Sequence, residues 1–480
     1  MVTVLIDNAI CDAGGDIRCP GVAEYLDCNY TTEQWKCTRE RFFIPKFGHF
    51  PNLQYCVEKK DEECIYLCGH SLGLQQRDSV QICHDVLTSW GTLGALSHCL
   101  PNNAFNACDT ALTGMMAKLV GAEENEIAIM NSLTINIHLM MASFYQPDSC
   151  RFKILHEENI FSSDRYALES VVRRYGLDPI TTLISAGNCQ EDVMRSIEEH
   201  STSIALILIG SVQYLTGYRF DLKPIVDAGH NHGAIVGFVL AHAVGVVPLC
   251  LHEDNVDFAV WCTYKYMCGG PSSAAAVFIH QSHHQNEFCG RMDGWWGSVP
   301  ESRLLMSPEL IRAEGANGFR VSHPNPFQCN LLKPVLKMLT SDVTMEEVYN
   351  RGLLLTEYLI RILKAQFPCI VMLTPEDPEK RGFHVAIKSP HDGEDECSLQ
   401  DKLANSGIFV DTRLGHLRIS VHPLYTTFIE LYRFALCLST LCSDTSNLNG
   451  LISNFITLAV DEILSCKNES GSNSSNIPVN

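Results

Sequence analysis

Positive charge is the first thing in short supply. Lys and Arg number 35 against 55 Asp and Glu, a formal charge of −20, and no Lys/Arg cluster stands out. Nucleic acid and anionic membranes need concentrated basic surface, so neither is expected as a partner, whereas a small-molecule site stays open. Metal-binding cysteine pairs are also missing. Among 22 cysteines there is no C-x-x-C, and the Cys64–Cys68 spacing has no second pair beside it. No metal is expected. The opening "MVTVLIDNAICDAGG" has no basic region and too short an apolar run for a secretory leader. The expectation is a cytoplasmic protein with reduced, buried thiols. Long apolar runs are nearly absent too. The exception, "GAIVGFVLAHAVGVVPLCL", covers 19 uncharged residues from Gly233 to Leu251, close to the roughly 20 a membrane helix needs. Three glycines, Pro248, His242 and many valines argue instead for two short buried strands with a turn between them.

What is present reads as a globular α/β chain. At 480 residues, 46% apolar and 19% charged, it exceeds one ordinary core, and two or more domains are expected. Residues 1–60 show little periodicity and read as an irregular segment packing on the smaller domain. From about residue 61, short apolar runs alternate with amphipathic stretches. "IAIMNS", "RFKILHE", "TTLIS", "SIALILIG", "AIVGFVL", "DFAVWCT" and "AAAVFIH" read as strands, and "DRYALESVVRRYG", "QEDVMRSIEEHS" and "LKPIVDAGHNHG" as helices. Unbroken apolar strands between helices predict a mainly parallel sheet covered on both faces, over 61–330. Then one long helical stretch leads into "CIVMLT", "GFHVAIKS", "IFVDTR" and "HLRISVH" and a helix from about Thr426 to Cys442. This predicts a smaller α+β domain over 331–465, with a disordered polar tail at 466–480.

Two motifs point to different chemistry. Gly69-His70-Ser71-Leu72-Gly73 matches G-x-S-x-G, with a strand expected before it and a helix after it, the context of a serine nucleophile. Against that reading, no HGG-like oxyanion segment precedes Ser71 and most strands lie downstream. The second motif centres on Lys265 in "DFAVWCTYKYMCGG". A lysine in apolar surroundings loses proton affinity and becomes a nucleophile toward an aldehyde. A lone lysine there is more often a strand-end snorkeller. Leu133 and Thr134 at a strand-to-helix junction, Phe161 and Asp164, His242 at a strand end and Tyr264 supply, in order, what pyridoxal phosphate requires: phosphate donors, a stacking face and polar partners.

With these residues in place, the chain resembles the kynureninases, pyridoxal-phosphate enzymes of fold type I (the aspartate-aminotransferase type). The resemblance covers roughly residues 60–440, carried by "YLCGHSLGLQ", "WGTLGALSH", "NEIAIMNSLTINIHLMMASFY", "RFKILHEENIFSSDRYALES", "LAHAVG", "VDFAVWCTYKYMCGG", "GWWG", "GFRVSHP" and "LRISVHPLY". It implies pyridoxal 5'-phosphate held covalently by Lys265. Tyr264, Leu133 and Thr134 would bind the phosphate, Phe161 would stack on the ring, and Ser162, Ser163 and Asp164 would complete that wall. His242 would sit beside the cofactor, and Trp295 would reach the phosphate from the partner of a homodimer with shared sites. Arg418 would hold the substrate α-carboxylate, a task suited to its fork, and His98 would lie near the aromatic end. His323 and the Ser71 segment would belong to the substrate's surroundings. The implied reaction is hydrolysis of the Cβ–Cγ bond of L-kynurenine or its 3-hydroxy derivative to an anthranilate and L-alanine, a step of tryptophan catabolism on the route to NAD.

Four positions depart from the family. Val239 stands where the family has an aspartate that keeps the ring nitrogen protonated, Gly210 where it has a phosphate-side serine, and His70 and His323 where it has asparagines. Valine offers neither charge nor hydrogen bond, and an unpartnered buried cation is disfavoured. Either Asp164 serves the ring nitrogen instead, or the chain is a non-catalytic relative.

Overall fold

The computed structural model of the chain describes residues 2–13, 15–50, 59–99, 104–285, 290–388 and 396–443. Its strands are β1 (Ile65–Tyr66), β2 (Ile127–Ile129), β3 (Lys153–His156), β4 (Leu183–Ser185), β5 (Ile204–Gly210), β6 (Ile235–Val239), β7 (Phe258–Trp261), β8 (Ala276–Ile279), β9 (His384–Lys388), β10 (Ile408–Phe409), β11 (Asp411–Arg413) and β12 (His416–Ser420). Seven form one sheet in the order β2-β8-β7-β6-β5-β3-β4. From β7 to β4 the pairing is parallel, and β8 runs antiparallel to both β7 and β2.

Strand residues alternate between faces, and here both faces are buried. Leu206 and Leu208 of β5 enter one core with Ile137 of helix Leu133–Phe144 and Leu168 of helix Ser162–Arg174. Ile207 and Ile209 enter the opposite core with Val193 and Ile225, from helices Gln190–Glu199 and Leu222–Asn231. The two-sided cover explains why these strands read as continuous apolar runs. It also collects the C-terminal ends of the parallel strands at one edge, the place where α/β folds build sites.

A separate core joins Ile6, Val22 and Leu26 near the chain start to Leu355, Leu359 and Ile362, to Val385 and Ile419, and to Leu431 and Phe434. Its antiparallel sheet has the order β11-β12-β9. The last helix spans Phe428–Ser443. The expected extension to 465 and the polar tail at 466–480 lie outside the described residues.

Several local expectations need correction. The first 50 residues carry helices Val2–Asp12, Pro20–Tyr30 and Glu33–Glu40. Two or three turns give too little periodicity to read, and such helices stand by packing rather than by propensity. The apolar run at 233–251 yields one strand, β6, and not two. After it the chain turns, with the Ala243 and Val244 amides donating to the Leu240 carbonyl. "CIVMLT" makes only the isolated bridge Met372–Ile387, and "IFVDTR" splits into β10 and β11. The long helical stretch is two helices, Pro326–Lys337 and Met345–Gln366. The second begins at a capping box: Thr344 Oγ1 accepts from the Glu347 amide and Glu347 Oε2 from the Thr344 amide, at 3.1 and 2.8 Å. Cysteines are unbridged among the described residues. Cys64, Cys262, Cys268 and Cys329 are buried as expected, whereas Cys11, Cys19, Cys28, Cys37, Cys99, Cys150, Cys250 and Cys369 are exposed. No described helix is long and apolar enough to cross a membrane.

Candidate active site

Lys265 follows β7 in a tight loop. The Gly269 amide donates to the Thr263 carbonyl and the Cys268 amide to the Lys265 carbonyl, at 2.9 and 3.0 Å. Cys268 (φ 47°) and Gly270 (φ 94°) take left-handed conformations that turn the chain sharply. The loop aims the lysine across the strand ends, where Nζ lies 2.9 Å from His242 Nε2. Burial lowers the lysine's proton affinity and holds His242 well below the ordinary histidine range. An amine and an imidazole can share this space only if at most one is charged.

Two further histidines pack against His242. His70 and His384 stack with centroids 5.4 Å apart, and they stand 6.2 and 5.4 Å from His242. Burial holds His384 down to about 3 and His70 well below its usual value. Both nitrogens of His70 and of His384 and Nδ1 of His242 are buried with no hydrogen-bond partner among the described residues. Unpaired buried polar atoms cost stability, and five such nitrogens beside an amine of lowered proton affinity mark a place built to receive a polar ligand.

Arg418, on β12, closes another side. Its guanidinium donates to Asp411 Oδ2 at 2.5 Å and to the Tyr214 carbonyl at 2.6 Å, while Nε is unpaired. Across the sheet edge, helix Leu133–Phe144 begins after Ser132, so its first amides are free to meet an anion. Thr134 Oγ1 and Ser163 Oγ meet there at 2.9 Å, joining this helix to the start of helix Ser162–Arg174. Phe161 and Ser162 are exposed at the same turn, and the Phe161 ring lies 5.3 Å from Tyr214. Asp164, one turn in, is buried, and burial raises its carboxyl to about 7 against the opposing pull of Lys265. Tyr264 is half-buried beside Lys265, its phenol raised by burial.

Other expected residues lie in a second group. His98 Nδ1 and His323 Nε2 both meet Asn106 Oδ1, at 3.1 and 3.0 Å, with the two rings 5.5 Å apart. His323 also packs on Trp296 at 4.4 Å. Trp295 is exposed, and its indole N–H donates to the Arg303 carbonyl. These contacts are with one another rather than with the Lys265 group.

Ser71 is not at a nucleophile elbow. The preceding strand, β1, has two residues and pairs with β10 outside the large sheet, and the next helix begins only at Ser79. The glycines of that segment serve packing. A Cβ on Gly73 would lie 2.3 Å from the Lys265 carbonyl, and one on Gly69 would lie 2.6 Å from the Tyr425 hydroxyl. The segment docks on the lysine loop through the Gly73 amide and the Tyr264 carbonyl at 2.8 Å, which places His70 in the histidine group.

His384, Tyr214, Asp411 and Glu157 were not singled out from the sequence. Glu157 follows β3, and an acid just past a strand's C-terminal end was a usable signal. The others reach the site from 50 to 150 residues away along the chain, a proximity no local pattern shows. Far from the lysine, Glu126, His252 and His280 bring donor atoms within 4.8 Å of one another. The Glu126 oxygens already accept from the Glu123 and Gln281 amides and from His252, so the group is a capped turn with an ion pair.

The fold and the lysine at its strand ends define the class: a pyridoxal-phosphate enzyme of fold type I. Solved structures agree on the fold. A C-DES mutant with glycine covalently linked to its PLP cofactor superposes with a TM-score of 0.68 at 17% identity, covering 79% of this chain and 97% of that one. The cysteine desulfurase CsdA from Escherichia coli gives 0.64 at 16%, covering 85% and 98%. Sequence narrows the class. Residues 348–438 match the family described as kynureninase C-terminal domain. The kynureninase of Nematostella vectensis is 36% identical over 441 residues, 87% of this chain and 93% of that protein. The kynureninase of Xanthomonas oryzae pv. oryzae is 36% identical over 419 residues, 85% and 96%. The chain belongs to the kynureninase family.

Proposed function

We propose that the protein hydrolyses the Cβ–Cγ bond of L-kynurenine or 3-hydroxykynurenine, releasing anthranilate or 3-hydroxyanthranilate and L-alanine, with pyridoxal 5'-phosphate held by Lys265. The observation that carries this reading is the Lys265 amine, 2.9 Å from His242 and ringed by buried nitrogens without partners. The residues present fit the group. A neutral-leaning amine suits an aldehyde, while the start of helix Leu133–Phe144, with Thr134 and Ser163, suits a phosphate. When bound, the cofactor supplies an electron-withdrawing ring that stabilises carbanions next to the captured nitrogen.

The chain's own groups do the rest. Lys265, its proton affinity lowered by burial, can take up the α-proton and return it. His70, His242 and His384, held neutral by burial, can each offer an N–H to a substrate oxygen, His242 through Nδ1 because its Nε2 faces Lys265. Arg418 offers Nε to the α-carboxylate, with Asp411 and the Tyr214 carbonyl fixing the plane of its fork. The phenyl face of Phe161 is open to carry a ring.

The family assignment and the exposure of Trp295 support a homodimer whose copies complete one another's sites. Trp295 of one copy then reaches the phosphate of the cofactor held by the other, and the His98–His323 pair lies toward the substrate's aromatic end. The unbridged thiols of the described cysteines, several of them exposed, support a cytoplasmic setting. The test is direct: purified protein loaded with pyridoxal phosphate should convert L-kynurenine to equimolar anthranilate and alanine. No product from kynurenine or from its 3-hydroxy form contradicts the proposal.

A further inference from the structure

The strand ends beneath Lys265 carry an acid that the roles above leave unused. Glu157 follows β3 and is 4% exposed. In the sheet β3 pairs with β5 and β5 with β6. Gly210, the last residue of β5, stands in register with Val239, the last of β6. The Glu157 carboxyl lies over Gly210: Oε2 accepts the Gly210 amide at 3.1 Å, and a Cβ at position 210 would come within 3.0 Å of Oε1. The absent side chain at 210 is the room the carboxyl occupies, and that places an acid one strand from position 239.

Val239 contributes only methyl groups. It belongs to the core that Leu168 and Val171 of helix Ser162–Arg174 share, so it faces the layer from which Asp164 rises. Asp164 interacts electrostatically with both Glu157 and Lys265. Two buried acids thus stand near an aliphatic position, and among the described residues no cationic side chain is hydrogen-bonded to either. A buried carboxyl that lacks a cation is expensive to keep, and a cofactor that stores electrons in a nitrogen heterocycle needs an acidic partner for that nitrogen.

On the reading of Lys265 as the cofactor lysine, we infer that Glu157, admitted by the missing side chain at Gly210 and paired with Asp164, holds the ring nitrogen protonated in place of a carboxylate at position 239. Both acids are raised to about 7, so near neutral pH one proton passes to the ring nitrogen while the other keeps the second carboxyl neutral. Two like acids in one low-dielectric site titrate as a pair in this way. The balance is a proton transfer only: one O–H bond breaks, one N–H bond forms, and carboxylate and ring cation remain paired.

The test uses Glu157→Gln, which keeps an oxygen for the Gly210 amide but cannot ionise. Wild type, Glu157→Gln, Val239→Asp and the double variant are compared by equilibrium titration with pyridoxal phosphate. The pH dependence of the bound cofactor's visible absorption and the melting temperature of the cofactor-free protein are recorded alongside. The expected result is a tenfold or greater weakening of cofactor affinity and a downward shift of the absorption transition in Glu157→Gln. The cofactor-free melting temperature should not fall, since the substitution removes a buried acid, and both losses should be reversed when Val239→Asp is added. Affinity and spectrum within twofold of wild type, or no recovery in the double variant, overturn the inference while leaving Lys265 in its role. A wild type that takes up no cofactor overturns both.

Discussion

At the scale of single residues, the site is governed by burial more than by pairing. Lys265, His70, His242 and His384 all lose proton affinity because water is excluded from them, and Asp164 and Glu157 gain it for the same reason. The consequences for stability have opposite signs. His384, near 3 when folded, and His422, near 4, protonate at about 6.5 once unfolded. The unfolded chain therefore binds more protons between those values, and stability falls as pH drops from about 6.5 toward 4. The two acids, held to about 7, are protonated in the folded state where the unfolded chain has lost those protons. Their contribution weakens stability as pH rises from about 4 to 7. A His384→Asn variant of the cofactor-free protein should therefore show a shallower pH dependence. Its slope between pH 4.5 and 6 should fall by up to about 1.4 kcal/mol per pH unit, measured by denaturant titration. Position 239 gives a second prediction at this scale. With Glu157 and Asp164 at hand, Val239→Asp should raise turnover of kynurenine by less than about threefold, roughly 0.65 kcal/mol. A rise of hundreds-fold would mean that the neighbouring acids do not serve.

The element scale shows what was legible in the sequence and what was not. The strands of the large sheet could be read because both faces are buried, which turns each into an apolar run such as "SIALILIG". Lys265, His242, Thr134 and Asp164 stood out because each lies at the end of such a run or at the start of the following helix, where polar groups interrupt an apolar pattern. The short helices before residue 41 were illegible, since two or three turns carry little periodicity. His384 was missed for a different reason: it opens β9, far along the chain from His70 and His242, and only the tertiary fold brings β9 against the segment around His70. The motif around Ser71 misled because its glycines have a packing function that a local pattern cannot express. Gly73→Ala would push a methyl group against the Lys265 carbonyl and Cys268. Overpacking of this kind costs about 1–3 kcal/mol. The variant should melt at lower temperature and also bind pyridoxal phosphate more weakly, since the displaced backbone belongs to the lysine. Ser71, by contrast, is no nucleophile, so wild type and Ser71→Ala should both stay unlabelled by fluorophosphonates.

At the scale of the whole molecule, two cores meet at the site. The large sheet supplies Lys265, His242, Thr134 and Asp164, and the core that includes the chain start supplies Arg418, Asp411 and His384. The Arg418 guanidinium bonds to the Tyr214 carbonyl and thereby ties one to the other. The first helices belong to this arrangement. Ile6, Val22 and Leu26 are fully buried against Leu355, Leu359 and Phe434, and each such side chain contributes about 1.5–3 kcal/mol on burial. Removing residues 2–30 should therefore lower the melting temperature sharply and reduce substrate affinity along with it. The quaternary prediction is a dimer in sedimentation equilibrium. Trp295→Ala and Lys265→Ala proteins, each inactive or impaired alone, should recover part of the activity when mixed, because one mixed site then holds both native residues.

The account rests on an amine at position 265 that traps a carbonyl, and borohydride reduction of the cofactor-loaded protein followed by peptide mapping tests this most directly. The predicted result is one reduced pyridoxyl group per chain, on the peptide containing Lys265, with the yellow colour lost. Reduction that fixes no cofactor, or that fixes it to another lysine while the Lys265 peptide stays unmodified, would contradict the account.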